Sequence, residues 1–158
     1  MHQPGIGAGH CEKVVTAGHK TKFGIDPRFC AQAKELLSKY DMKLVGINQH
    51  IGSLFLEPAP YVEAAENLLE MVLDNFPGLD FVDFGVPYRP DEPRLDFGKL
   101  REMLFPVLDS FMERYDNKYV HFKCEPGRYL VAECGLLLGT VHAVKENYGE
   151  AYVGTDIG

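Results

Sequence analysis

The chain is short of positive charge. Its 16 lysines and arginines face 23 aspartates and glutamates, leaving a net charge of −7. That balance argues against a nucleic-acid partner or a membrane surface, though not against a local anion site. Long apolar runs are missing too: nothing approaches the ~18 consecutive apolar residues of a membrane span. The start, Met1-His-Gln-Pro-Gly5, has no leader character, so the expected location is the cytoplasm. The four cysteines, Cys11, Cys30, Cys124 and Cys134, show no CxxC spacing and no Cys/His cluster. Neither a zinc site nor a disulfide framework is expected, and Cys124 and Cys134 read as small buried hydrophobes. Glycine is plentiful in Pro4-Gly-Ile-Gly-Ala-Gly9, with Gly18 and Gly24 beyond, yet no strand–helix pair frames it. It is a poor match to a dinucleotide fingerprint, and residues 1–25 read as a long loop.

What is there is an ordinary apolar and charged content in 158 residues, enough for one domain with a sizeable core. Asp26-Pro27 opens a helix, aspartate as N-cap and proline at the first helical position. Ala33, Leu36, Leu37 and Tyr40 continue its apolar face. Lys43 to His50 reads as a strand with Leu44-Val-Gly-Ile47 as its buried run, ending in Asn48-Gln-His-Ile-Gly-Ser53. Pro58 to Phe76 is a second helix, stopped by Pro77-Gly78. Leu79 to Phe84 is the next strand, and Asp96 starts a third helix to about Tyr115, which Pro106 should kink or divide.

The stretch Tyr119-Val-His-Phe-Lys-Cys-Glu-Pro-Gly-Arg128 is a third strand running into a carboxylate, a proline, a glycine and an arginine. Gly127 can bring its N–H close to an anion, Arg128 can pair with that anion, and Glu125 can meet a cationic nitrogen. The same four residues also suit a plain strand–turn–helix junction with a salt-bridged Arg128. Residues 129–134 suit a helical turn, and Leu136–Val144 and Glu150–Thr155 are β-rich. The alternation of helix and strand, with connections long enough for parallel crossovers, is α/β: a slice of a (β/α) barrel or an open sheet.

Three stretches together resemble one family, the pyridoxal-phosphate-dependent decarboxylases of the alanine-racemase-like fold, and within it the diaminopimelate decarboxylases. They are Gly46-Ile-Asn-Gln-His-Ile-Gly-Ser53, Phe81-Val-Asp-Phe-Gly85 with Tyr88, and Glu125-Pro-Gly-Arg128 with Tyr129-Leu-Val-Ala-Glu-Cys-Gly135. The glycine-rich opening, Lys22-Phe-Gly-Ile25 and Val153-Gly-Thr-Asp156 are similar too, all in the family's order. The resemblance implies the C-terminal half of a pyridoxal-phosphate-binding (β/α)8 barrel over residues 1–134, running into the first strands of a β-domain over residues 135–158. It implies pyridoxal 5'-phosphate as cofactor and His50, Gly52, Ser53, Gly85, Glu125, Gly127 and Arg128 as its binding residues. His50 would lie against the ring face, Glu125 would pair with the ring nitrogen, and Ser53, Gly127 and Arg128 would meet the phosphate. The activity implied for the parent is the decarboxylation of meso-diaminopimelate to L-lysine. Related arginine, ornithine and carboxynorspermidine decarboxylases share some of these motifs, and a non-catalytic or engineered barrel piece with a residual anion pocket is the other reading.

Three departures shape the expectations. The family's Schiff-base lysine sits in a tyrosine–alanine–x–lysine–alanine–asparagine context, and no lysine here has it, so no catalytic residue is assigned. After the aspartate like Asp83 the family carries a run of three glycines, where this chain reads Phe84-Gly-Val-Pro-Tyr88. Proline has no N–H to offer a phosphate. The family's β-domain also continues beyond a point corresponding to Gly158. A fragment without decarboxylase activity of its own is therefore expected, pairing into a homo-oligomer through open strand edges.

Overall fold

The computed structural model describes residues 16–17, 22–52, 57–85, 95–131 and 134–157, and of Arg128 the backbone alone. Asp26 caps as expected: its carboxylate accepts from the Arg28 N–H, and a 3-10 turn over Pro27–Phe29 leads into α1, Cys30–Lys39. Helix α2 spans Ala59–Asn75 and buries Val62, Ala65, Leu68, Leu69 and Val72, one stripe at the helical period. Helix α3 spans Phe97–Arg114, with the Asp96 carboxylate accepting from the Lys99 N–H. Pro106 neither ends nor divides it. The proline lies on the exposed side of the helix, where water can take the carbonyl that its missing N–H leaves unpaired.

Strands β1 (Gly46–Asn48), β2 (Phe81–Asp83) and β3 (His121–Lys123) form a parallel sheet in that order. In register, Gly46 faces Phe81 and His121, Ile47 faces Val82 and Phe122, and Asn48 faces Asp83 and Lys123. The middle rung packs into the core with the helices, so by alternation the first and third rungs line the opposite face. The strands are shorter than the sequence predicts. Residues 43–45 lie outside β1, and Val45 is exposed instead of buried, because β1 is the edge of the sheet.

The amino end of the sheet is fastened by side chains. The Tyr115 hydroxyl accepts from the Leu79 N–H and donates to the Phe76 carbonyl, both at 2.7 Å. Asn117 Nδ2 donates to the Leu79 carbonyl at 2.9 Å. The connection between α3 and β3 thus satisfies the turn between α2 and β2, which would otherwise bury unpaired backbone groups.

Helix α4 covers Gly127–Val131, two residues earlier than expected. A separate antiparallel hairpin follows, β4 (Val141–Asn147) and β5 (Glu150–Thr155), turning at Tyr148-Gly149. Leu136–Leu138, expected in the first of these strands, precede it and are exposed. Two further expectations are corrected: Cys124 and Cys134 are exposed, and it is Cys30, at the start of α1, that is buried. Cys124 follows the last strand of its sheet, and Cys134 lies beyond the layer in which helices cover strands.

Candidate functional site at the carboxyl ends of the strands

In parallel α/β sheets ligands meet the loops that leave the strands' carboxyl ends. Here the ladder continues past the three short strands. The Gln49 N–H donates to the Asp83 carbonyl at 2.9 Å, the Phe84 N–H to the Lys123 carbonyl at 3.0 Å, and the Glu125 N–H to the Gly85 carbonyl at 2.9 Å. Three residues named from sequence, His50, Gly85 and Glu125, are thereby aligned on neighbouring strand ends.

Gly85 is the pivot. Its φ of 71° lies in the left-handed region, and its N–H donates to Asp83 Oδ1 at 2.9 Å, turning the chain sharply after β2. A Cβ at this position would stand 2.6 Å from the Gln49 carbonyl oxygen and 2.9 Å from His50 Nδ1. The backbone of one strand end and the imidazole of its neighbour therefore pack directly on a residue with no side chain. Gly52, two residues after His50, is buried and has a φ of 144°. The Glu125 side chain is exposed at the same edge of the sheet.

The expected phosphate end differs. The Gly127 N–H donates to the Glu125 carbonyl at 2.8 Å, and the Gly85 N–H is taken by Asp83, so neither glycine presents a free donor. Ser53, the side chain of Arg128, the segment Val86-Pro-Tyr88 and the glycine-rich opening lie outside the described residues. Lys123, on the face with Asn48 and Asp83, places its Nζ 3.8 Å from the centroid of the Phe81 ring, two rungs towards the amino end.

Two features of this edge escape the sequence reading. Gln49 is 2% exposed, and among the described residues its side-chain oxygen has no hydrogen-bond partner. Thr16, 34 residues upstream, donates from its hydroxyl to the His50 carbonyl at 3.0 Å. No motif marks Thr16, and Gln49 lies within the Gly46–Ser53 stretch without being singled out. The alternation of β1 does mark position 49 as facing the core, and glutamine there was the available signal. Among the described residues no group of three His, Cys, Asp or Glu side chains is placed to hold a metal ion, and no helix is long and apolar enough to cross a membrane.

The described elements make a mixed α/β chain built on a parallel sheet. The chain belongs to the family of pyridoxal-dependent decarboxylases, whose pyridoxal-binding domain model matches residues 2–132. Its relatives include the diaminopimelate decarboxylase of Methanothermobacter thermautotrophicus, 32% identical over 163 residues, covering 98% of this chain and 38% of that protein. Among solved structures, a diaminopimelate decarboxylase superposes with a TM-score of 0.78 at 27% identity, over 97% of this chain and 37% of that one. The diaminopimelate decarboxylase from M. jannaschii, in co-complex with L-lysine, gives a TM-score of 0.67 at 26% identity, over 87% of this chain and 34% of that one. The chain thus spans under two fifths of the length of these relatives. The family's cofactor is pyridoxal phosphate.

Proposed function

We propose that these 158 residues form one side of a diaminopimelate decarboxylase-type barrel and hold the ring end of pyridoxal phosphate between His50 and Glu125. The observation that carries this reading is the alignment of His50, Gly85 and Glu125 on three adjacent strand ends, with the His50 ring packed on Gly85. The residues fit the ring end of the cofactor: an imidazole to lie against a planar ring, and an exposed carboxylate to meet a cationic nitrogen. Glu125 keeps a proton on the ring nitrogen, and His50 fixes the plane of the ring. Bound pyridoxal phosphate supplies the electron sink for the pair left behind when a carboxylate departs as CO₂.

Gly85 contributes close approach rather than a donor, and the N–H groups of Gly85 and Gly127 are both engaged within the chain. The phosphate then depends on Ser53 and Arg128. The substrate we assign to the whole barrel is meso-diaminopimelate, with L-lysine as product. This rests on the names of the relatives and on the lysine bound in one of their structures. Taken alone, the 158 residues have no lysine in the family's Schiff-base context. They are expected to bind the cofactor weakly, on the order of millimolar or about 4 kcal/mol, and to release no CO₂ beyond what the free cofactor does.

A titration with pyridoxal phosphate, followed by amide and imidazole NMR signals, tests this. Shifts centred on His50, Gly85 and Glu125 that weaken in His50→Ala and Glu125→Gln support it. An unperturbed spectrum at millimolar cofactor rejects it. Decarboxylation of diaminopimelate that exceeds the cofactor-only control and survives purification would overturn the expected inactivity.

A further inference from the structure

The carbonyl of His50 lies at the ligand end of an edge strand. Among the described residues no strand pairs with β1 on the side away from β2. In the middle of a sheet a neighbouring strand would hold such a carbonyl; at an edge it is left to water or to a side chain. Here the Thr16 hydroxyl takes it at 3.0 Å. Ala17, the next residue, is 4% exposed and belongs to the core, so the threonine is anchored rather than trailing. Its β-branched side chain has few rotamers to lose in making the bond.

We propose that Thr16 is a positioning residue for His50. The proposal rests on the reading of His50 as the residue against the cofactor ring. The imidazole is bounded on the β2 side by Gly85, whose missing side chain lets Nδ1 approach. The preceding residue is fixed by the bond from the Gln49 N–H to the Asp83 carbonyl. Gly85 bounds the ring and the Gln49 bond holds the peptide before Gln49, which leaves rotation of the peptide that follows His50 as a further freedom. The Thr16 hydroxyl closes it. Thr16 therefore takes part in the site by holding the backbone from which the histidine projects.

The test compares the unmodified chain with Thr16→Val and Thr16→Ser, using pyridoxal phosphate as the probe. Valine keeps the shape and the β-branch but cannot donate; serine keeps the donor. Two readouts are taken: the His50 imidazole resonances without cofactor, and the dissociation constant for the cofactor. Thr16→Val is expected to shift the imidazole signals and weaken binding about fivefold, the scale of one hydrogen bond. Thr16→Ser should restore both. His50 signals and affinity unchanged in Thr16→Val would overturn the proposal. So would equal losses in both variants, because the hydroxyl would then not be what matters. If the unmodified chain binds no cofactor, the reading of the site fails, while the imidazole signals still decide whether Thr16 sets His50.

Discussion

A single methyl group added at position 85 would meet the Gln49 carbonyl oxygen and the His50 ring at once, on a backbone already at positive φ. Gly85→Ala is expected to cost about 2–4 kcal/mol, summing overpacking and the left-handed backbone. Urea unfolding should show a lower midpoint at an unchanged slope, and the His50 ring signals should move. At Gln49 the expectation has the opposite sign. Among the described residues its buried oxygen has no partner. Gln49→Met, close in volume and without that oxygen, should stabilise the fold by about 1–2 kcal/mol; a midpoint that falls instead would show that the amide is paired in solution. The sequence names Gly85 only through the family's motif. It offers no sign of Thr16, because a contact across 34 residues leaves no local pattern and the segment reads as loop.

Among the elements, the helices are the most legible. Asp26 and Asp96 cap where an aspartate before a helix should, and the stripe of α2 repeats at the helical period. The strands read too long because apolar residues at an open edge look the same in sequence as buried ones; Val45 is the example. Pro106 reads as a break because sequence cannot say that the proline faces water. Pro106→Ala restores an N–H to α3 and is expected to add about 1–3 kcal/mol of stability in urea or thermal unfolding. Helices α2 and α3 are also joined at the surface by Arg114, whose Nη2 lies 2.9 Å from Glu70 Oε2. The hydrogen bond from Arg114, with its charge adding to the effect, holds the Glu70 carboxyl below the usual glutamate range. A lowered folded value means that the contribution is present above the unfolded value of about 4.3 and is lost as pH falls through the folded one. Glu70→Gln should therefore flatten the acid limb of the stability curve below that pH and lower stability only slightly at neutrality, since the pair is exposed.

For the molecule as a whole, the α/β order and the parallel crossovers follow from the alternation of elements. What covers the open edge does not. The apolar side of α1 that the sequence assigns to a core lines an open groove of about 540 Å³, with Leu36, Leu37, Met42, Leu44 and Phe76 among its walls. Leu36 and Met42 are half exposed there. A sheet edge that no described strand pairs, beside such a groove, favours pairing, and the 158-residue chain on its own is expected to scatter light as a dimer or larger. A compact monomer at working concentration would count against this.

The bond from the Leu79 amide to the Tyr115 hydroxyl also supplies a timer for the opening of the molecule. An amide held by another strand exchanges its hydrogen when the sheet opens; this one is released when the end of α3 lifts from the turn before β2. Its exchange with heavy water, set against that of the β2 amides, would distinguish undocking of α3 from loss of the sheet itself. In Tyr115→Phe the Leu79 amide should exchange fast while those in the sheet remain slow, which would place the first step of unfolding at the amino end of the sheet.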